Sequence, residues 1–156
     1  LDFFGDAVNY AISLAVLGMS LCWRASVALV KGMTMALFGF IVIGKTGYAY
    51  MQGIPPEAIT MGLIGVLALI ANVMSAGFLY AFREGDSNMQ SVWLCSRNDA
   101  IGNVAVILAA VGVFGTGSLW PDIIVAVIMS VLGLTAGYRV IQKALQERKE
   151  HQSLTL

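Results

Sequence analysis

The sequence predicts an all-α protein, a polytopic transmembrane helix bundle of about five helices. Three observations lead there. Of the 156 residues, 58% are hydrophobic and 12% charged, with a mean hydropathy of +0.82, a balance foreign to a soluble domain. The apolar residues fall in runs of the ~20 residues that a hydrocarbon core demands. Short polar or Gly/Pro segments separate the runs, as helix connections do. Nine Lys+Arg offset nine Asp+Glu, so there is no electrostatic basis for binding nucleic acid.

The first run spans residues 1–21. It opens apolar with no charged region before it, so a secretory signal is not expected, and a preceding helix outside these residues is. The second runs from about Val27 to Tyr50, interrupted by Lys31 and Lys45. Gly53-Ile54-Pro55-Pro56 reads as a turn with proline near a helix start. The third run, Glu57 to Phe82, ends at the polar turn Arg83-Glu84-Gly85-Asp86-Ser87-Asn88. The fourth, Met89 to about Phe114, contains Arg97 and Asp99. After the turn Gly115-Thr116-Gly117-Ser118, Trp120-Pro121 opens the fifth, Leu119 to about Ile141. The remaining tail is polar, expected to fray, and too short for a folded soluble domain. The organisation read from this is a transmembrane domain at 1–147 and a polar tail at 148–156.

Charge sets the expected orientation. With the C-terminus in the cytoplasm, Arg24, Lys31, Arg83, Arg139, Lys143, Arg148 and Lys149 fall on that side, while residues 115–118 and the 51–57 turn carry no Lys or Arg. Lys45 is the exception, and a long side chain can snorkel. Trp23, Trp93 and Trp120 lie near segment ends, as interfacial aromatics do.

Ionisable groups at membrane depth are expensive and mark functional sites. Asp2 and Asp6 stand at i and i+4 on one face of the first helix, and Asn9 and Ser13 extend the same stripe. The alternative for that pair is an ordinary solvated N-terminus, with residues 1–6 outside the bilayer. On the fourth helix Cys95 and Asp99 are again i and i+4, flanked by Asn98, with Asn103 a turn further on. A free cysteine is often a small buried hydrophobe, and Arg97 points to a different side from Asp99. Neither Cys95 nor Cys22, both in apolar stretches, suggests a disulfide framework. Two such pairs on two helices can close a four-ligand site suited to tetrahedral Zn²⁺. Three carboxylates and a thiolate in lipid require a cation or shared protons. Asn72 and Ser75 in the third run read equally as interhelical hydrogen-bonders or as the lining of a path. The eight scattered methionines read as core filler.

DFFGD in the first helix, CSRND followed by AIGNVAVILAA in the fourth, and WPDIIVAVIMSVLGLTAGYRVIQKAL at the end resemble the cation diffusion facilitators. The resemblance covers roughly residues 1–147. It implies a six-helix divalent metal/proton antiporter whose second and fifth helices carry the paired ligands, here the first and fourth helices. Asp2, Asp6, Cys95 and Asp99 then take the ligand positions, supported by Asn9, Asn98 and Asn103. SVALVKG resembles the family's cytoplasmic link into its third helix. The implied protein is not an enzyme. It resides in the bilayer, expectedly a bacterial inner (plasma) membrane, and exchanges metal for protons. Zn²⁺ is the default substrate, with Co²⁺, Ni²⁺, Fe²⁺ and Cd²⁺ open. A homodimer is compatible with this, although the sequence holds no counterpart of the cytoplasmic domain that helps the family dimerise, nor of its first helix. Cys95 departs from the histidine of the zinc members, and a thiolate is softer.

Two other functions use membrane carboxylates. An intramembrane aspartyl protease would show Gly-x-Gly-Asp, but Phe4-Gly5 precedes Asp6 and Arg97-Asn98 precedes Asp99. A proton-coupled organic-cation carrier needs one or two carboxylates within aromatic walls.

Overall fold

The computed structural model describes residues 2–53, 58–116, 118 and 120–153, without the side chains of 2–4, 58–65, 110 and 112–116. All regular structure among them is helical: α1 (Asp2–Ala15), α2 (Leu21–Gln52), α3 (Ala58–Leu79) with a 3₁₀ turn at Tyr80–Phe82, α4 (Ser87–Thr116) and α5 (Trp120–Ser153).

Helix boundaries follow local chemistry. Beyond Ala15 the backbone tightens into a turn in which the Leu17 N–H reaches Leu14 O and the Met19 N–H reaches Val16 O. Ser20 is extended, and its carbonyl accepts from Trp23 and Arg24 at 3.0 and 3.1 Å, which starts α2. Gly53 ends α2 in the left-handed conformation (φ 65°), its N–H returned to the Ala49 and Tyr50 carbonyls. Only glycine adopts that conformation without steric cost. Asp86 caps α4, its Oδ1 accepting the Met89 N–H at 2.9 Å. The Trp120 N–H meets Ser118 Oγ at 3.3 Å, and Pro121 with Asp122 occupies the first turn of α5. A proline there has no N–H to leave unpaired, and a carboxylate complements the helix dipole.

Four expected boundaries are corrected. The first run was read to residue 21, but α1 stops at Ala15 and Leu21 already belongs to α2. Residues 26–32, expected as a cytoplasmic link, lie inside α2, because no glycine or proline interrupts Leu21–Lys31. Gly115 and Thr116, read as turn, complete α4. The tail expected to fray is helical to Ser153. The 54–56 part of the Gly53–Pro56 turn lies outside the described residues.

The bundle centres on α5, packed along α2 and also against α4, while α4 lies between α5 and α3 and α1 rests on α4. The α2–α5 seam is made of glycine. A Cβ on Gly137 would stand 2.6 Å from Gly32 O, and one on Gly39 3.0 Å from Ser130 O. Backbones this close gain van der Waals contact without a hydrophobic driving force, as membrane helices require. The buried core is correspondingly small-residue: Ala25, Ala28, Ala136, Ala144, Val140 and Leu94.

Burial is inverted relative to a soluble protein. Ser87, Asn88, Ser91, Ser96 and Asn98 are buried, whereas Phe40, Phe78, Leu108 and Val111 are exposed. Water would not tolerate such a surface, and lipid does. By length and composition α2 and α5 can each cross a membrane, with window hydropathies of 2.0.

Candidate metal centre

α1 and α4 bring the paired residues together. One donor atom each from Asp6, Cys95 and Asp99 lies within 4.8 Å of the others, and all three side chains are half-buried. Cys95 Sγ stands 3.5 Å from Asp99 Oδ2, as the i, i+4 spacing on α4 dictates. Asp2 opens α1 one turn ahead of Asp6, and its side chain lies outside the described residues. Asp99 is the thirteenth of the 30 residues of α4, hence about 18 Å along the axis, towards the middle of the helix.

These groups line a cavity of about 720 Å³ whose wall also includes Asn9, Lys31, Asn72, Asn98 and Asn103. The described part of the polar stripe read on α1 faces inward: Asp6 and Asn9 reach the cavity, and Ser13, 2% exposed, donates to the Asn9 carbonyl at 2.8 Å. Asn98 is buried and binds the Leu132 carbonyl of α5 through Nδ2 at 3.0 Å. Its Oδ1 accepts from Arg97 at 2.8 Å, and the Arg97 guanidinium sits over the Trp93 ring, 5.1 Å from its centroid. The partners of Arg97 are thus an amide and an indole face. Asn103 keeps a buried Nδ2 with no partner among the described residues, a donor available to an anionic or oxygen group in the cavity. Asn72 lines this cavity, while Ser75 lines a smaller cavity beside Tyr10.

Sequence reasoning missed Lys31 here. It was placed on the cytoplasmic side with Arg24, but its Nζ reaches the Asn9 carbonyl at 3.3 Å, Asn88 Oδ1 at 3.2 Å and Ser13 Oγ. The signal available was an ionisable group within an otherwise apolar helix, the same signal that flagged the aspartates.

At one end of the bundle a polar cluster joins three elements. Arg24 of α2 pairs with Asp86, Lys143 Nζ of α5 meets the Gly85 carbonyl at 2.5 Å, and Glu147 of α5 accepts the Ser87 N–H at 2.8 Å and its hydroxyl. Glu147, near the end of α5, therefore caps the α4 N-terminus.

A soft thiol beside two carboxylates fits a borderline or soft divalent metal, Zn²⁺ or Cd²⁺ respectively. An all-helical membrane bundle with such a cluster has the donor set that a cation-handling transmembrane domain requires. The sequence profile of the cation efflux transmembrane domain matches residues 23–147, and the chain belongs to that family, the cation diffusion facilitators. The match covers Cys95 and Asp99, and Asp2 and Asp6 precede it. Among curated proteins, a cadmium, cobalt and zinc/H(+)-K(+) antiporter of Bacillus velezensis is 27% identical over 124 residues, 76% of this chain and 38% of that protein. Zinc transporter ZitB of Escherichia coli is 25% identical over 130 residues, 83% of this chain and 42% of that protein. Metal cation efflux system protein CzcD of Cupriavidus metallidurans is 26% identical over 152 residues, 90% and 48% respectively. The chain thus spans two-fifths to one-half of these relatives' lengths.

Proposed function

We propose that this chain forms the membrane path of a secondary-active exporter that carries a divalent metal out of the cytoplasm in exchange for protons. Asp2, Asp6, Cys95 and Asp99 are the ligand set in this reading. The observation that carries it is the convergence of Asp6, Cys95 and Asp99 donor atoms within 4.8 Å on the wall of one cavity. Relatives named for zinc, cadmium, cobalt and proton exchange support the substrate class and the counter-ion. Ni²⁺ and Fe²⁺ are the further metals to assay.

The chemistry follows from the donors. A dication neutralises the carboxylates that lipid would otherwise oppose. Protons compete for the same oxygens, so an acidic receiving side favours metal release and a neutral cytoplasm favours loading. Alternating exposure of the cavity to each side turns that competition into transport. The protein sits in the inner membrane of a bacterium, its C-terminus cytoplasmic by the distribution of Lys and Arg.

The test is Zn²⁺ flux into proteoliposomes under an imposed pH gradient, comparing the parent with Asp6→Asn and Asp99→Asn. The expected outcome is gradient-driven flux in the parent and a loss of at least ~100-fold in each variant. Aspartate variants that bind and carry metal like the parent would sink the ligand assignment. Flux insensitive to metal and blocked by a bulky organic cation would identify a carrier of organic cations instead.

A further inference from the structure

Lys31 is the one cavity-lining residue named above that brings a positive charge. It leaves α2 in the third turn and lines the same cavity as Asp6, Cys95 and Asp99. Its ammonium is held by the Asn9 carbonyl, Ser13 Oγ and Asn88 Oδ1. These partners come from α1 and α4, the two helices that supply the metal-binding groups. All three are neutral oxygens. They satisfy the ammonium's hydrogen bonds without supplying a formal negative charge. Asn88 is in turn anchored, its Nδ2 donating to the Ser13 carbonyl at 3.1 Å, so the cradle has a fixed shape. A charge in a low-dielectric interior acts over several ångströms, and Asp6, Cys95 and Asp99 share this cavity with Lys31.

We propose that Lys31 is a built-in counter-cation of the transport site. Its ammonium offsets part of the ligands' negative charge when the metal has left, and it opposes an arriving dication. It thereby weakens metal binding enough for release. This inference rests on the metal-site reading and assigns a charge-setting residue to that site. Lys31 donates none of its described hydrogen bonds to Asp6, Cys95 or Asp99, so it acts through the field and through the cradle that joins α1 to α4.

The direction of the effect separates this role from a structural one. Removing a residue that merely braces the bundle loosens the ligand cluster and weakens metal binding. Removing an opposing charge tightens it. The experiment is calorimetric titration of the purified full chain in nanodiscs with Zn²⁺ alone, for the parent, Lys31→Gln, Lys31→Arg and Asp99→Asn. Glutamine keeps a hydrogen-bond donor in the cradle without charge, and arginine keeps the charge. Lys31→Gln is expected to bind Zn²⁺ about tenfold tighter than the parent or better, with slower release in the proteoliposome assay. Lys31→Arg is expected to restore affinity to the parent's range. Lys31→Gln binding as the parent does, or more weakly, would overturn the proposal, as would equal tightening in Lys31→Arg. Asp99→Asn tells the two readings apart. If it binds like the parent, the ligand assignment itself has failed. If it weakens binding while Lys31→Gln does not tighten it, the site stands and the role of Lys31 is refuted.

Discussion

Cys95 and Asp99 stand one helical turn apart on α4, and their side chains meet at 3.5 Å on the wall that Asp6 of α1 also lines. In the proposed ligand set, sulfur in that position supplies the softness, because a thiolate favours polarisable metals where a carboxylate alone favours hard ones. Cys95→Ser replaces it with a neutral, harder donor of similar shape. The expected outcome is a loss of Cd²⁺ affinity exceeding the loss for Zn²⁺ by roughly tenfold, about 1.4 kcal/mol. Parallel titrations with the two metals check it, and equal losses would show that the sulfur packs without ligating. Because the proposed ligands would have to be deprotonated to bind, Zn²⁺ affinity is expected to fall steadily from about pH 7.5 to about pH 5.5. A pH-independent affinity would contradict the carboxylate and thiol donors.

The helices contribute through their contacts and caps. The α2–α5 seam depends on the absence of side chains where Gly137 faces Gly32. Gly137→Ala forces the backbones apart and is expected to cost ~1–3 kcal/mol, seen as a lower midpoint of thermal unfolding in detergent. Gly44 has no atom within 4 Å of an added Cβ, so Gly44→Ala is the control, neutral or stabilising by up to ~1 kcal/mol through helix propensity. Glu147 accepts the N–H and hydroxyl of Ser87 at the start of α4. Glu147→Ala strands those donors and is expected to lower stability by ~1–3 kcal/mol while leaving Zn²⁺ affinity within about twofold. Near-wild-type unfolding of that variant would show that α4 starts without the help of α5.

Over the whole molecule, the ends of α2, α4 and α5 are tied at one face by Arg24, Asp86, Ser87 and Glu147. The C-terminus of α2 at Gln52 lies at the far end of a helix of 32 residues, about 47 Å away along the axis, and the bilayer separates the two faces. Cysteines introduced at Gln52 and Gln152, in a chain with Cys22 and Cys95 replaced by serine, are expected to label oppositely with a membrane-impermeant thiol reagent added to intact cells. Gln52→Cys should react and Gln152→Cys should not. The reverse pattern would invert the orientation drawn from the basic residues.

The fold class and half of the site were fixed by local sequence. Runs of apolar residues near the bilayer's thickness allow only helices, because lipid offers the backbone no hydrogen bonds. The i, i+4 spacing of Cys95 and Asp99 puts both on one helical face wherever the helix lies. Family resemblance in DFFGD and CSRND then paired the first helix with the fourth. The tertiary structure decided what depends on neighbours distant in sequence. Hydropathy cannot locate the break after Ala15, where both flanks are apolar. It reads residues 142–153 as solvated, whereas Glu147 finds a buried donor pair on α4, 60 residues away. Lys31 counts as a surface charge in any tally of basic residues, and only packing shows its ammonium turned inward to Asn9, Ser13 and Asn88. Sequence spacing fixes which side chains share a helix face, and the crossing of helices fixes which faces meet.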